Sequence, residues 1–383
     1  MVSEQPEVGS RAVVAAEDLQ RLLDILKDRG YTVVGPAVRD GDLVLEELDG
    51  AGDLPRGLKD EAAPGAYRLT PGEEGRFFGI RVGQESWKKF FLPPTLDIME
   101  ARREAGGWRL VLPGQAPPRF ACVGVRACDL AAIGVQDRTL RHGLHPDADY
   151  AARREGAFLV AVHCTDPGRT CFCASMGTGP QAVGGFDLAL TELRQGGRQV
   201  FLVEVGSAAG AEVLAALPHQ AADGSVVEEA AALIARAAAD MGRTLETSGL
   251  KDFFYANYQN PHWEQVAGRC LSCGNCALVC PTCFCHSFED VPDLSGDAVV
   301  RRRRQDVCFT LDHSYLHGGS IRVSPLSRYR QWLTHKLAAW QDQFGCSGCV
   351  GCGRCIAWCP VGIDLTREVA ALRESDAETS PNP

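Results

Sequence analysis

The chain has 383 residues, 45% of them hydrophobic and 23% charged, with a formal net charge of −10. That length predicts two or three domains able to bury their own cores, and the composition excludes extensive disorder. The acidic balance argues against nucleic acid or an anionic membrane surface as the main partner. Seventeen cysteines are the unusual feature.

The N-terminus, MVSEQPEVGSRAVVAAEDLQ, lacks a basic region followed by a long apolar run, so no secretory signal is visible. The longest apolar stretches, Ala157–Val162 and Val200–Val203, fall far short of the ~20 residues that span a bilayer. The expected compartment is cytoplasmic, where thiols stay reduced and tight cysteine spacing points to metal before disulfides.

In chain order, Leu19–Leu26 has helical apolar spacing. Tyr31–Val34 and Leu43–Leu48 flank Asp40-Gly41, a hairpin signal. Phe77–Val82 reads as a strand, and Pro93-Pro94 breaks the segment that follows. Phe120–Val125 reads as a strand leading to a helix over Asp129–Leu140, with Asp129 as its N-cap. Phe158–His163, Leu188–Thr191 and Val200–Val205 read as buried strands, and Ala208–Leu217 and Val226–Met241 as helices. The alternation predicts an α/β domain with a largely parallel sheet over residues 1–245. From Leu250 onward strand signals fade. Asp252–Tyr258 and Tyr329–Trp340 look helical, which predicts a mainly helical domain over 246–373, then a frayed tail over 374–383.

No cysteine precedes Cys122; five lie between Cys122 and Cys173, and twelve between Cys270 and Cys359. Within the second group one motif occurs twice: Cys270-x2-Cys273-x2-Cys276-x3-Cys280-Pro281 and Cys349-x2-Cys352-x2-Cys355-x3-Cys359-Pro360. This is the bacterial ferredoxin spacing for [4Fe–4S] clusters, in which the fourth cysteine of each run serves the other cluster. Cys270, Cys273, Cys276 and Cys359 are therefore expected at one cluster, and Cys349, Cys352, Cys355 and Cys280 at a second. Zinc sites normally pair two CxxC units across a longer spacer, so two complete copies with terminal prolines argue against zinc.

The insert between the copies, about seventy residues, carries the run Arg301–Arg304. Such a run docks an acidic partner, tunes a cluster or, most often, is a solvated, ion-paired segment. Cys128 follows one predicted strand, and Cys164, Cys171 and Cys173 follow another. Loops at the carboxyl ends of parallel strands converge, so these four thiols are a candidate third [4Fe–4S] site. A zinc site, a redox-active dithiol or ordinary buried thiols are the alternatives. His163 is more simply a packed histidine than a ligand. Cys122, Cys283, Cys285, Cys308 and Cys346 are left for packing or for the surroundings of a cluster. The glycines at 177, 179, 184 and 185 do not follow GxGxxG spacing and support no dinucleotide site.

The segments ESWKKFFLPP, GVRACDLAAIGVQDRTL, CTDPGRTCFCASMGTGP, RCLSCGNCALVCPTCFC, SRYRQWLTHKLAAWQDQFG and GCVGCGRCIAWCPVGID occur in consistent order beyond residue 85. In them the chain resembles the iron–sulfur beta subunit of cytoplasmic NAD(P)-linked [NiFe] hydrogenases of the sulfhydrogenase type. The A subunit of anaerobic sulfite reductase shares the same plan. Cys346 stands where the resemblance leads one to expect Thr or Ser, and His163 where it leads one to expect Asn. The resemblance implies an electron-transfer subunit between an FAD- and NAD(P)H-binding flavoprotein subunit and the small and large subunits of a [NiFe] hydrogenase. Service to a sulfite reductase, a flavin-bearing reductase in its own right and a zinc-stabilised interaction module are the competing functions. The chain shows no identifiable nucleophile, general base or phosphate cradle.

Overall fold

The computed structural model describes residues 6–81, 83–112 and 117–379. Its strands are β1 (Arg11–Ala15), β2 (Thr32–Arg39), β3 (Asp42–Glu47), β4 (Leu58–Ala63), β5 (Ala66–Pro71), β6 (Thr95–Glu104), β7 (Gly107–Val111), β8 (Phe120–Arg126), β9 (Phe158–Val162), β10 (Leu188–Gln195), β11 (Arg198–Val205), β12 (Gln220–Ala221), β13 (His286–Pro292) and β14 (Ala298–Gln305). Two short strands at Tyr315–Leu316 and Gly319–Ser320 form a separate hairpin.

Eight strands make one sheet in the order β12-β1-β11-β10-β9-β8-β2-β3. Its centre, β10-β9-β8-β2, is parallel, while β1, β11, β12 and β3 pair antiparallel. The sheet is thus mixed instead of largely parallel, because β10–β11 and β2–β3 close as hairpins. At the second hairpin Arg39 pairs with Asp42 across Asp40 (φ 51°) and Gly41 (φ 85°), the double positive φ of a tight two-residue turn.

The parallel centre is covered on both faces, which is why Phe158–Val162 is an unbroken apolar run with every residue buried. Phe158, Val160 and Val162 face one layer with the helix Leu19–Asp28 and with Val213 and Leu214. Leu159 and Ala161 face the other, with Ile133 and Leu140 of the helix Ala127–Leu140 and with Tyr150. The period-2 alternation of a strand performs this division.

The second half departs from the helical expectation. Helices Leu250–Ala256, His262–Arg269, Pro325–Thr334 and Leu365–Thr379 are present, but β13 and β14 form a four-stranded antiparallel sheet with β6 and β7. Strands from residues 95–111 and 286–305 therefore share one sheet, a pairing that local sequence cannot reveal. The arginine run lies on β14. Arg301 pairs with Asp290, Arg302 with Asp97 and Arg304 with Glu289, while the buried Arg303 meets Asp147. Each cation has its own carboxylate, so the run is ion-paired as expected, but it is solvated only at Arg301, Arg302 and Arg304, since Arg303 is buried.

Three further expectations change. Phe77–Ile80 is not a strand; Glu192 accepts the backbone N–H groups of Phe77 and Phe78 at 2.7 and 3.0 Å, replacing ladder partners. Val82, the end of that expected strand, lies outside the described residues. Asp129 is not an N-cap, because the helix starts at Ala127 and places it in the first turn. The helix through Thr379 extends into the expected tail, whose residues 380–383 lie outside the described residues.

Candidate iron–sulfur sites

The repeated motif folds as a repeated structure. In the first copy Ser272 (φ 52°) and Gly274 (φ 78°) lead into a single helical turn, Asn275–Leu278. In the second, Gly351 (φ 65°) and Gly353 (φ 77°) lead into the matching turn, Arg354–Ala357. Two left-handed residues per loop curl three cysteines around one point and aim backbone N–H groups inward. The Ser272 N–H points at Cys270 Sγ at 3.4 Å, and the Gly351 N–H at Cys349 Sγ at 3.5 Å. Ile363 N–H meets Cys359 Sγ at 3.3 Å. N–H donors on sulfur stabilise thiolate charge and tune an iron–sulfur group.

Cys270, Cys273, Cys276 and Cys359 line one small cavity, together with Cys355 and the apolar side chains of Phe309, Tyr329, Trp332, Ile363 and Leu365. The structure thus brings together three cysteines of the first run and the last cysteine of the second. Cys349, Cys352 and Cys355 gather near Cys280, which adds to the pKa of each of these thiols, already raised by burial. Burial takes the Cys349 thiol up to about 12. At Cys280 the balance reverses: the hydrogen-bonded Cys283 thiol and the Lys336 ammonium hold it well below the ordinary thiol range.

The N-terminal cysteines also converge. Strands β8 and β9 run parallel, and an irregularity at Gly124 (φ 97°) shifts their register so that Arg126 pairs with Val162. The strands end level, and Cys128 and Cys164 each follow two residues beyond this last pair. Burial raises Cys128, Cys171 and Cys173, and neighbouring thiols add to each: Cys173 for Cys128, and Cys164 for both Cys171 and Cys173. The loop carrying Cys171 and Cys173 is fastened to the second ferredoxin loop. Phe172 N–H donates to the Gly351 carbonyl at 2.8 Å, and Thr178 Oγ1 to the Val350 carbonyl at 2.7 Å. A Cβ on Gly351 would stand 2.6 Å from the Phe172–Cys173 backbone, so only glycine admits this approach.

The three sets are contiguous. Cys352 of the second set adds to the pKa of Cys128, Cys171 and Cys173, and Cys355 lines the cavity of the first set. Arg354, between Cys352 and Cys355, makes an ion pair of 2.9 Å with Asp129, next to Cys128, and both side chains are 3% exposed. Among the described residues no group of three or more His, Cys, Asp or Glu is drawn together as a single metal ion would require. Thiol sets around apolar space, with N–H groups on sulfur, suit a multi-iron cluster better than zinc.

His163 is 5% exposed, and its Nδ1 accepts the Ala182 N–H at 3.1 Å, the bond of a packed histidine. Cys122 is fully buried in the sheet. Sequence reasoning did not single out Asp129 with Arg354, or Lys336 with Lys88. Buried charges carry no local signal, because their partners lie tens to hundreds of residues away.

Among the described residues no helix is long and apolar enough to cross a membrane. A family model for the 4Fe-4S dicluster domain matches residues 269–363. The sulfhydrogenase 2 subunit beta of Pyrococcus furiosus is 32% identical over 292 residues, covering 75% of this chain and 82% of that relative. No solved structure matches. With its paired ferredoxin loops and this extent of similarity, the chain belongs to the sulfhydrogenase beta-subunit family, iron–sulfur electron-transfer subunits of hydrogenase complexes.

Proposed function

We propose that the chain relays electrons between an FAD-containing, NAD(P)H-linked flavoprotein subunit and the small and large subunits of a [NiFe] hydrogenase, in a cytoplasmic complex. Three [4Fe–4S] groups are assigned: one to Cys270, Cys273, Cys276 and Cys359, one to Cys349, Cys352, Cys355 and Cys280, and one to Cys128, Cys164, Cys171 and Cys173. Such a group accepts and releases one electron at a time. The protein's part is to hold the thiolates, exclude water and set the potential through N–H donors, burial and nearby charge.

The observation that carries this reading is contiguity. Cys352 borders the N-terminal set and Cys355 the cavity of the first set, so the three sets form an unbroken row.

The test is anaerobic purification with iron and sulfide counts. About twelve irons per chain are expected, at four for each cluster. Eight would remove the N-terminal group, and Cys128→Ser should lose about four of twelve. Reduction by NAD(P)H should require the flavoprotein subunit. An isolated chain that retains flavin and is reduced directly would instead be a reductase.

A further inference from the structure

Two buried lysines converge on the segment Cys280–Cys283. Lys336 is 4% exposed and Lys88 6%. Lys336 Nζ lies 3.2 Å from Cys280 Sγ and 3.5 Å from Cys283 Sγ, and donates to Thr282 Oγ1 at 3.0 Å and the Gly348 carbonyl at 3.2 Å. Lys88 Nζ donates to the carbonyls of Cys280 and Cys283 at 3.0 and 2.9 Å. Among the described residues the lysines paired with a carboxylate within 4.0 Å are Lys89 and Lys251, not these two. An ammonium taken out of water is costly without negative charge nearby. Here that charge can come only from thiolates and what they bind.

The backbone holds Lys336 in this position. It sits in a π-helical turn, His335–Ala339, between the helices Pro325–Thr334 and Trp340–Phe344. Such turns insert an extra residue and recur at functional sites. Gly348, next to Cys349, donates its N–H to the Lys336 carbonyl at 2.8 Å and accepts from both Lys336 Nζ and Thr282 Oγ1. A Cβ at Gly348 would stand 2.8 Å from the Trp340 ring, so this approach also demands glycine. Lysine, thiol and loop are thus locked together from both sides.

We propose that Lys336, assisted by Lys88, sets the potential of the [4Fe–4S] group on Cys349, Cys352, Cys355 and Cys280, making the middle site the electron well of the row. The inference rests on the ligand reading given above. One-electron reduction adds one negative charge to that group, and a fixed ammonium against a ligand sulfur favours the more negative state. The interaction acts in a low-dielectric interior, where it is weakly screened. The lysine is a positioning residue and takes up no electron.

The experiment is an EPR-monitored redox titration of the full chain, purified anaerobically, as wild type, Lys336→Met and Lys88→Met, with iron counted in each. In Lys336→Met the reduced-to-oxidised ratio of one cluster should fall at least tenfold at fixed poise, about 59 mV for a one-electron couple. The other clusters should keep their midpoints, and Lys88→Met should move the same cluster in the same direction by less. Unshifted midpoints in Lys336→Met at full iron content overturn the proposal. If Lys336→Met loses iron, Lys88→Met decides, and an unshifted midpoint there at full iron content overturns it. A wild-type chain without iron would overturn the ligand reading itself, so the two failures are distinguishable.

Discussion

The pair Asp129–Arg354 offers the sharpest test of how the N-terminal cysteines are joined to the ferredoxin loops. The two charges meet at 2.9 Å, both side chains are 3% exposed, and 225 residues of chain separate them. Burial works against the Arg354 charge, but Asp129 and the thiols of Cys352 and Cys128 hold its pKa above the ordinary value. Asp129→Asn keeps the shape and removes one charge, leaving a buried guanidinium whose other contacts are the Gly83 and Glu85 carbonyls at 3.2 Å. Breaking a buried pair in this way costs about 3–5 kcal/mol. Were Asp129 only an N-cap, Asn would serve nearly as well and the change would be almost neutral. Combined with Arg354→Met, which removes the stranded charge, most of the loss should return, because an apolar pair of similar volume is close to neutral. The assay is equilibrium unfolding under anaerobic conditions, closed as a double-mutant cycle, with iron counted at each corner. A single-mutant cost below about 1 kcal/mol, the worth of an exposed pair, would refute the reasoning. So would a double mutant as unstable as the two single losses added together.

Gly351→Ala should be far more damaging than an ordinary surface exchange. It combines a positive φ, worth about 1–3 kcal/mol of strain in other residues, with a Cβ 2.6 Å from backbone. Iron counts should fall at both the middle and N-terminal sites, and a full count would show that the loops do not need this contact. On β14, Arg303→Met should lower the urea midpoint, reflecting a loss of about 3 kcal/mol of stability, since its side chain is only 6% exposed beside Asp147. Arg302→Ala, on the exposed Asp97 pair, should leave that midpoint unchanged. Equal effects would mean that burial does not distinguish the two arginines.

The cysteine spacing and several local elements were legible because they are short-range. Three cysteines at x2 spacing on a loop with left-handed residues have little choice but to face one point. The run Phe158–Val162 and the Asp40-Gly41 hairpin likewise follow from backbone sterics and side-chain alternation within a few residues. Tertiary structure decided what depends on distant partners. Glu192 takes the N–H groups that would have made Phe77–Ile80 a strand, and β6 recruits the arginine run into a sheet across some two hundred residues. Asp129 exchanges a capping role for Arg354, and Lys336 finds Cys280 through a π turn. Periodicity and spacing report the forces between near neighbours. A buried charge is placed by the fold, because only the completed interior creates the low dielectric that makes its partner indispensable.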